Sequence, residues 1–158
     1  MNYPGLINAE YKEAVLGMLP EWFDLNDDQW YQHVNRLPMK SQITYLVVIL
    51  HNQVRNGGFH QYFTNGYGQF SKLTINALVE IECYRRAKLL SEALMIVNSD
   101  NDSDDVFRMK ILKKEIDSLI KSDDLNDPLD LLDDSYYGMD EQGEEDIEQF
   151  LGSYLASR

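Results

Sequence analysis

Few side chains in this chain have the type and spacing that chemistry needs. Its three histidines are His33, His51 and His60. None belongs to an HExxH pair, and no carboxylate stands at helical spacing beside His51 or His60. An acid–base or metal site would need partners brought in by the fold. The single cysteine, Cys83, excludes an internal disulfide and a multi-cysteine zinc site. It lies in an apolar stretch and reads as a buried, inert thiol, although Arg85 and Arg86 nearby leave a reactive role open. Asp100-Asn101-Asp102-Ser103-Asp104 begins like a calcium loop, but Asp105 stands where such a loop needs Gly and Ile111 where it needs Glu. There is no Gly-rich phosphate loop, no GxSxG and no basic stripe. The expectation is a protein that binds rather than catalyses, with no metal and no cofactor.

Carboxylates are the abundant reactive groups. The 158 residues carry 27 acidic and 14 basic side chains, net −13. Residues 1–98 hold 9 acidic and 8 basic residues, net −1, whereas residues 99–158 hold 18 acidic and 6 basic, net −12. Residues 123–148 carry twelve carboxylates and no Lys, Arg or His. Asp123, Asp124, Asp127, Asp130, Asp133 and Asp134 recur at short, helix-like steps, followed by Glu141, Glu144 and Glu145, while Leu125, Leu129 and Leu132 can face inward. Phosphates recur about every 3.4 Å along one DNA strand. Twelve carboxylates on a helix of this length would recur roughly every 3 Å. Pro128 and Gly138 are expected to interrupt any single helix there. Such a chain is repelled by nucleic acid and by anionic membrane, and drawn to basic protein surfaces. The acidic segment reads either as a solvated stretch kept for solubility or as a binding face.

A second cluster is Asn56-Gly57-Gly58-Phe59-His60-Gln61-Tyr62-Phe63-Thr64-Asn65. The two glycines allow a sharp reversal between helices, and Phe59, Tyr62 and Phe63 share a helix face. One reading is a structural corner with an aromatic plug. The other is a small pocket in which Asn52, Asn56, His60, Gln61 and Asn65 orient a small polar ligand.

The elements that position these groups are helical. Leu6, Ala9, Val15, Leu16 and Leu19 mark a first helix, stopped at Pro20. The stretch 24–28 supplies N-cap candidates for a second, carrying Trp30, Val34 and Leu37. Ser41 opens a third, whose Ile43, Leu46, Val47, Leu50 and Val54 form one apolar stripe. Residues 70–97 read as one long helix, 106–121 as another, 123–143 as a weakly ordered acidic connector, and about 144–157 as the last helix. With 44% hydrophobic residues the chain can bury a proper core. The expected fold is an all-α single domain, residues 1–158, of about six to eight helices.

The string NGGFHQYFTN resembles the signature of a bacterial family known as DNA-mimic proteins, most of them catalogued as a domain of unknown function. The preceding helix Tyr45 to Arg55 is similar to the family's helix before the double glycine. Ala77-Leu78-Val79-Glu80-Ile81 and Ala87-Lys88-Leu89-Leu90 resemble its next helix, and Leu132-Asp133-Asp134-Ser135-Tyr136-Tyr137 with the helix ending near Tyr154 its C-terminal block. The resemblance covers roughly residues 40–156. One departure is Glu82-Cys83-Tyr84, where a small residue such as Gly or Ala is expected after Ile81. The resemblance implies an all-helical fold and non-catalytic binding of a DNA-binding protein through surface carboxylates. It assigns no functional residue.

These readings converge on a basic protein as partner, a DNA-binding one such as a transcription factor first of all, with no direct nucleic-acid binding and no membrane insertion. An immunity protein or antitoxin against a basic nuclease toxin, and a small-ligand binder at residues 52–65, are the other two readings. A homodimer is compatible with the sequence. No secretion signal is read at the N-terminus, the longest apolar run ends at Leu50 after a few residues, and the lone cysteine suits a reducing compartment, so a cytoplasmic location is expected.

Overall fold

The computed structural model describes residues 1–24 and 27–157. Among them lie eight helices of seven residues or more, one single helical turn and no strand. The helices are α1 (Tyr3–Val15), α2 (Gln29–Asn35), α3 (Met39–Thr64), α4 (Ser71–Glu80), α5 (Tyr84–Val97), α6 (Asp104–Leu112), α8 (Asn126–Glu141) and α9 (Ile147–Ala156), with α7 (Asp117–Ile120) the single turn. Short 3₁₀ turns span Pro20–Asp24 and Tyr67–Phe70. The architecture is the expected all-α bundle. Residues 25 and 26 of the expected capping stretch lie outside the described residues; Asp28 stands at the N-cap of α2 without a side-chain capping bond.

The core forms around α3 because its apolar stripe is unbroken. Ile43, Leu46, Val47, Leu50 and Val54 are all buried, each contributing on the order of 1.5–3 kcal/mol of burial. α3 contacts α1, α2, α4, α7, α8 and α9. At one end Trp30 donates its indole N–H to the Tyr45 hydroxyl (3.0 Å) and meets Phe23, Tyr67 and Phe70 edge-on, at 4.8 to 5.1 Å between centroids. That geometry suits the ring quadrupoles and satisfies the buried N–H. α1 packs on both α3 and α9.

Three expected elements differ. The helix over 70–97 is two helices. α4 ends in a Schellman turn, with Cys83 N–H donating to Leu78 O (2.8 Å) and Glu82 N–H to Val79 O (3.0 Å). Glu82 occupies the left-handed position of that turn at φ 68°, a conformation that favours glycine. The helix over 106–121 also breaks, at Lys114 with φ 55°. The first helix ends at Val15 rather than running on to Pro20, and Leu16 and Leu19 beyond it are exposed, as is Ile120 on the apolar side of the 106–121 stretch. The segment read as a weakly ordered connector is instead the 16-residue helix α8. Pro128 does not stop it because it sits in the first turn, where no intrahelical N–H is required. Gly138 is tolerated within a helix whose Leu129, Tyr136 and Met139 are anchored in the core.

Candidate protein-interaction face

α8 gathers the carboxylates into a face. At about 100° per residue, Asp127, Asp130, Asp134 and Glu141 fall within an arc of about 60°, and all four are exposed. Asp123 and Asp124, also exposed, precede the helix in the turn that leads into it. None of these six forms an ion pair among the described residues. Leu131, an apolar residue that could be expected to anchor this segment as Leu129 does, instead lies beside the stripe and is 70% exposed. The axial gaps between the four stripe carboxylates are about 4.5, 6 and 10.5 Å at 1.5 Å per residue. The density is therefore lower than the one per 3 Å expected from the sequence.

The density falls because three expected members of the face are engaged by the fold. Asp133 points inward and is only 8% exposed. Its Oδ1 accepts the Phe59 backbone N–H at 2.8 Å, across 74 residues of chain. Burial pushes its carboxyl above the ordinary carboxylate range; the Phe59 N–H opposes that shift, and neighbouring Asp130 and Asp134 add to it. Glu144 pairs with Arg85. Glu145 accepts the backbone N–H groups of Arg85 (2.8 Å) and Arg86 (2.9 Å), closing two free donors in the first turn of α5. A cap supplied from a distant segment leaves no local motif, so the sequence made these carboxylates look free.

Other acidic residues are also occupied. Lys110 reaches Asp100 (3.4 Å) and Asp102 (2.5 Å), placing an ammonium where the abortive calcium loop would hold its cation. Arg108 lies against Asp28, Asp104 and Asp105 and stacks over the Tyr31 ring at 3.8 Å. No group of three His, Cys, Asp or Glu side chains suited to a metal exists among the described residues. Asp123, Asp124, Asp127, Asp130, Asp134 and Glu141 remain a group of six carboxylates on α8 and its leading turn with no lysine or arginine between them.

The double-glycine segment is the joint that aims α8. α3 changes direction at Gly57 and Gly58, where Gly58 has φ 77° and ψ −177°, a conformation open in practice only to glycine. Asp133 sits directly against it: a Cβ on Gly58 would lie 2.7 Å from Asp133 Cγ. Phe59, Tyr62 and Phe63 are fully buried, the aromatic plug of the structural reading. The polar residues of the cluster are spent on one another. Asn56 donates to Gln61 (3.3 Å), and Gln61 and Asn65 both donate to Gln53 (3.0 and 3.1 Å). His60 Nε2 donates to the Leu119 carbonyl at 3.0 Å, and Asn52 is exposed on the surface. Of the five residues expected to line a small pocket, only Asn65 borders one of the larger cavities.

The remaining candidates are structural. Burial pushes the Cys83 thiol up to about 12, with Glu145 adding to the shift and Arg86 opposing it, so its reactive thiolate form is disfavoured. His33 Nε2 donates to the Ala14 carbonyl (2.8 Å). His51 Nδ1 and the Tyr136 hydroxyl are hydrogen-bonded at 2.8 Å, and burial lowers the His51 pKa. No described helix is long and apolar enough to cross a membrane.

Residues 35–158 match the family model described as DMP19-like protein. The match includes all of the 40–156 region that carried the resemblance. No curated protein and no solved structure matches the chain.

Proposed function

The chain belongs to the DMP19-like family, the family of DNA-mimic proteins, and from that premise we propose that it occupies the DNA-contacting surface of a basic, DNA-binding protein through the outer face of α8. The double-glycine string serves in this reading as the family's fold marker, not as a contact. The observation that carries the proposal is the stripe Asp127, Asp130, Asp134 and Glu141, exposed on one side of an ordered helix and unpaired among the described residues. A partner's Arg and Lys side chains, built to meet phosphates, find carboxylates of the same charge sign there. Asp123 and Asp124 extend the charged track past the N-terminal end of the helix. The reading is one of binding without catalysis.

Three physical arguments support it. Like charges on one helix face repel one another and cost stability, yet no Lys or Arg stands between 123 and 148 to relieve them. Elsewhere in the fold Arg85, Arg108 and Lys110 do pair with acidic groups. The helix is also held rigidly by Leu129, Asp133, Tyr136 and Met139, so its charges need no ordering on binding.

The test is competition. Proteins from the native cell that bind to immobilised duplex DNA are passed over the immobilised chain. The expected result is retention of a basic protein that duplex DNA then releases. Retention that excess duplex DNA leaves untouched would show a different surface at work and contradict the proposal.

A further inference from the structure

A cavity of about 360 Å³ lies between the end of α4 and α9, bordered on one side by Glu80, Ile81 and Glu82 and on the other by Phe150, Ser153 and Tyr154. Its volume falls within the roughly 300–1,000 Å³ of small-molecule sites. Phe150 and Tyr154 stand one turn apart on α9 and share a face. Both are half-buried, while Glu80 and Glu82 are exposed, so all four meet solvent. Burial raises the pKa of the Tyr154 hydroxyl, and the Glu80 carboxylate adds to the rise, which places the two within electrostatic reach of each other. The wall holds no lysine, arginine or histidine among the described residues and carries a formal charge of −2. Its α4 side is a helix C-terminus, where backbone carbonyls add partial negative charge.

The same molecule shows twice what such a set of side chains takes up. Arg108 stacks over the Tyr31 ring at 3.8 Å and pairs with Asp28 (3.0 Å) and Asp105 (2.9 Å). Arg86 lies over the Tyr136 ring at 4.5 Å and pairs with Asp140 (2.7 Å). In each case a guanidinium covers an aromatic face and meets a carboxylate at its edge, a combination that its planar shape and delocalised charge allow. Phe150, Tyr154, Glu80 and Glu82 offer the same two components around a space that holds no guanidinium among the described residues. An anion is repelled by the two carboxylates. A compact ammonium pairs with a carboxylate but has no plane to lay against a ring. We propose that this cavity takes an alkylguanidinium group, the head and stem of an arginine. The guanidinium stacks on the aromatic side of the cavity and donates to Glu80 and Glu82. The site is independent of the outer face of α8, since none of the stripe residues borders it.

The experiment is an NMR titration of the ¹⁵N-labelled full chain with n-butylguanidinium, and in parallel with n-butylammonium, which keeps the charge without the plane, and n-butylurea, which keeps the plane without the charge. The expected result is saturable shifts of the Ile81 and Ser153 amide signals with n-butylguanidinium, severalfold weaker binding of n-butylammonium, and at least about tenfold weaker binding of n-butylurea, which forfeits a charge-assisted hydrogen bond. The double variant Glu80→Gln with Glu82→Gln, at two exposed positions, is expected to lose the shifts while keeping the circular dichroism spectrum of the parent. Titrations with agmatine and with a blocked Gly-Arg-Gly peptide distinguish the sources of the group: tighter binding of agmatine supports a free guanidine, tighter binding of the peptide an arginine of a protein. Absence of saturable shifts at millimolar n-butylguanidinium overturns the proposal, equal binding of n-butylammonium overturns the guanidinium assignment, and unchanged binding by the double variant overturns the placement. Arg158 follows Ser157 of the cavity wall in the chain and lies outside the described residues, so Arg158→Ala is titrated as well; binding confined to that variant would make the chain's own arginine the occupant and overturn an external ligand.

Discussion

Replacing Gly58 with alanine should destabilise the protein by several kcal/mol, and the structure separates the cost into two parts. The first is backbone strain. At φ 77° and ψ −177° a residue with a Cβ carries about 1–3 kcal/mol of strain. The second comes from Asp133. The new methyl group would overlap its carboxylate, which must swing aside and release the Phe59 N–H it accepts at 2.8 Å. That N–H is fully buried, and leaving it unpaired costs about 1–3 kcal/mol. The combined loss is about 2–6 kcal/mol, a large fraction of the roughly 5–15 kcal/mol that holds a domain together. Guanidinium unfolding reads it as a lower midpoint at an unchanged slope. Asp133→Ala alone should lose only the second part. In the double variant that part is lost once, so the double should be more stable than the summed single effects by about 1–3 kcal/mol. A Gly58→Ala protein within about 0.5 kcal/mol of the parent, the range of neutral surface changes, would refute the reasoning. Strict additivity would refute the coupling between the two sites.

Two further perturbations test the scaffold. Burial lowers the His51 pKa from its ordinary 6.5, so the unfolded chain takes up that proton first as pH falls. The stability His51 contributes is therefore complete above pH 6.5 and is lost as pH drops through its depressed folded value; His51→Gln should flatten the stability profile in that window, and an unchanged profile would remove His51 from the account. Glu82→Gly should raise stability by about 0.5–1 kcal/mol, because glycine relieves the left-handed strain at φ 68°; a melting temperature that falls instead would mean the Glu82 side chain makes a contact worth more than the strain.

Local rules made much of the fold legible. The stripe on α3 shows at i, i+3, i+4 and i+7, the double glycine marks a change of direction, and Phe59, Tyr62 and Phe63 read correctly as buried aromatics. What stayed hidden depends on contacts between distant segments. Asp133 is indistinguishable from Asp134 in the sequence, yet one is buried against Gly58 and the other faces solvent. Glu145 caps a helix that begins some sixty residues earlier. The ordering of α8 was hidden for a different reason. Pro128 and Gly138 read as breakers by propensity, while tertiary burial of Leu129, Tyr136 and Met139 outweighs the weak cost of one glycine. Arg86 adjoins Arg85 in the chain, but nothing local links it to Asp140.

The most direct measurement of the central claim compares the parent with a variant bearing Asp127→Asn, Asp130→Asn, Asp134→Asn and Glu141→Gln. Affinity for the DNA-binding protein retained in the competition experiment is measured across a series of salt concentrations. The parent should bind more weakly as salt rises, because the pairing charges are exposed and screened. The variant should keep its helical spectrum, gain thermal stability through relief of self-repulsion, and lose both the affinity and the salt dependence. A folded variant that binds as tightly as the parent, with the same salt slope, would contradict the assignment of α8 as the face that replaces DNA.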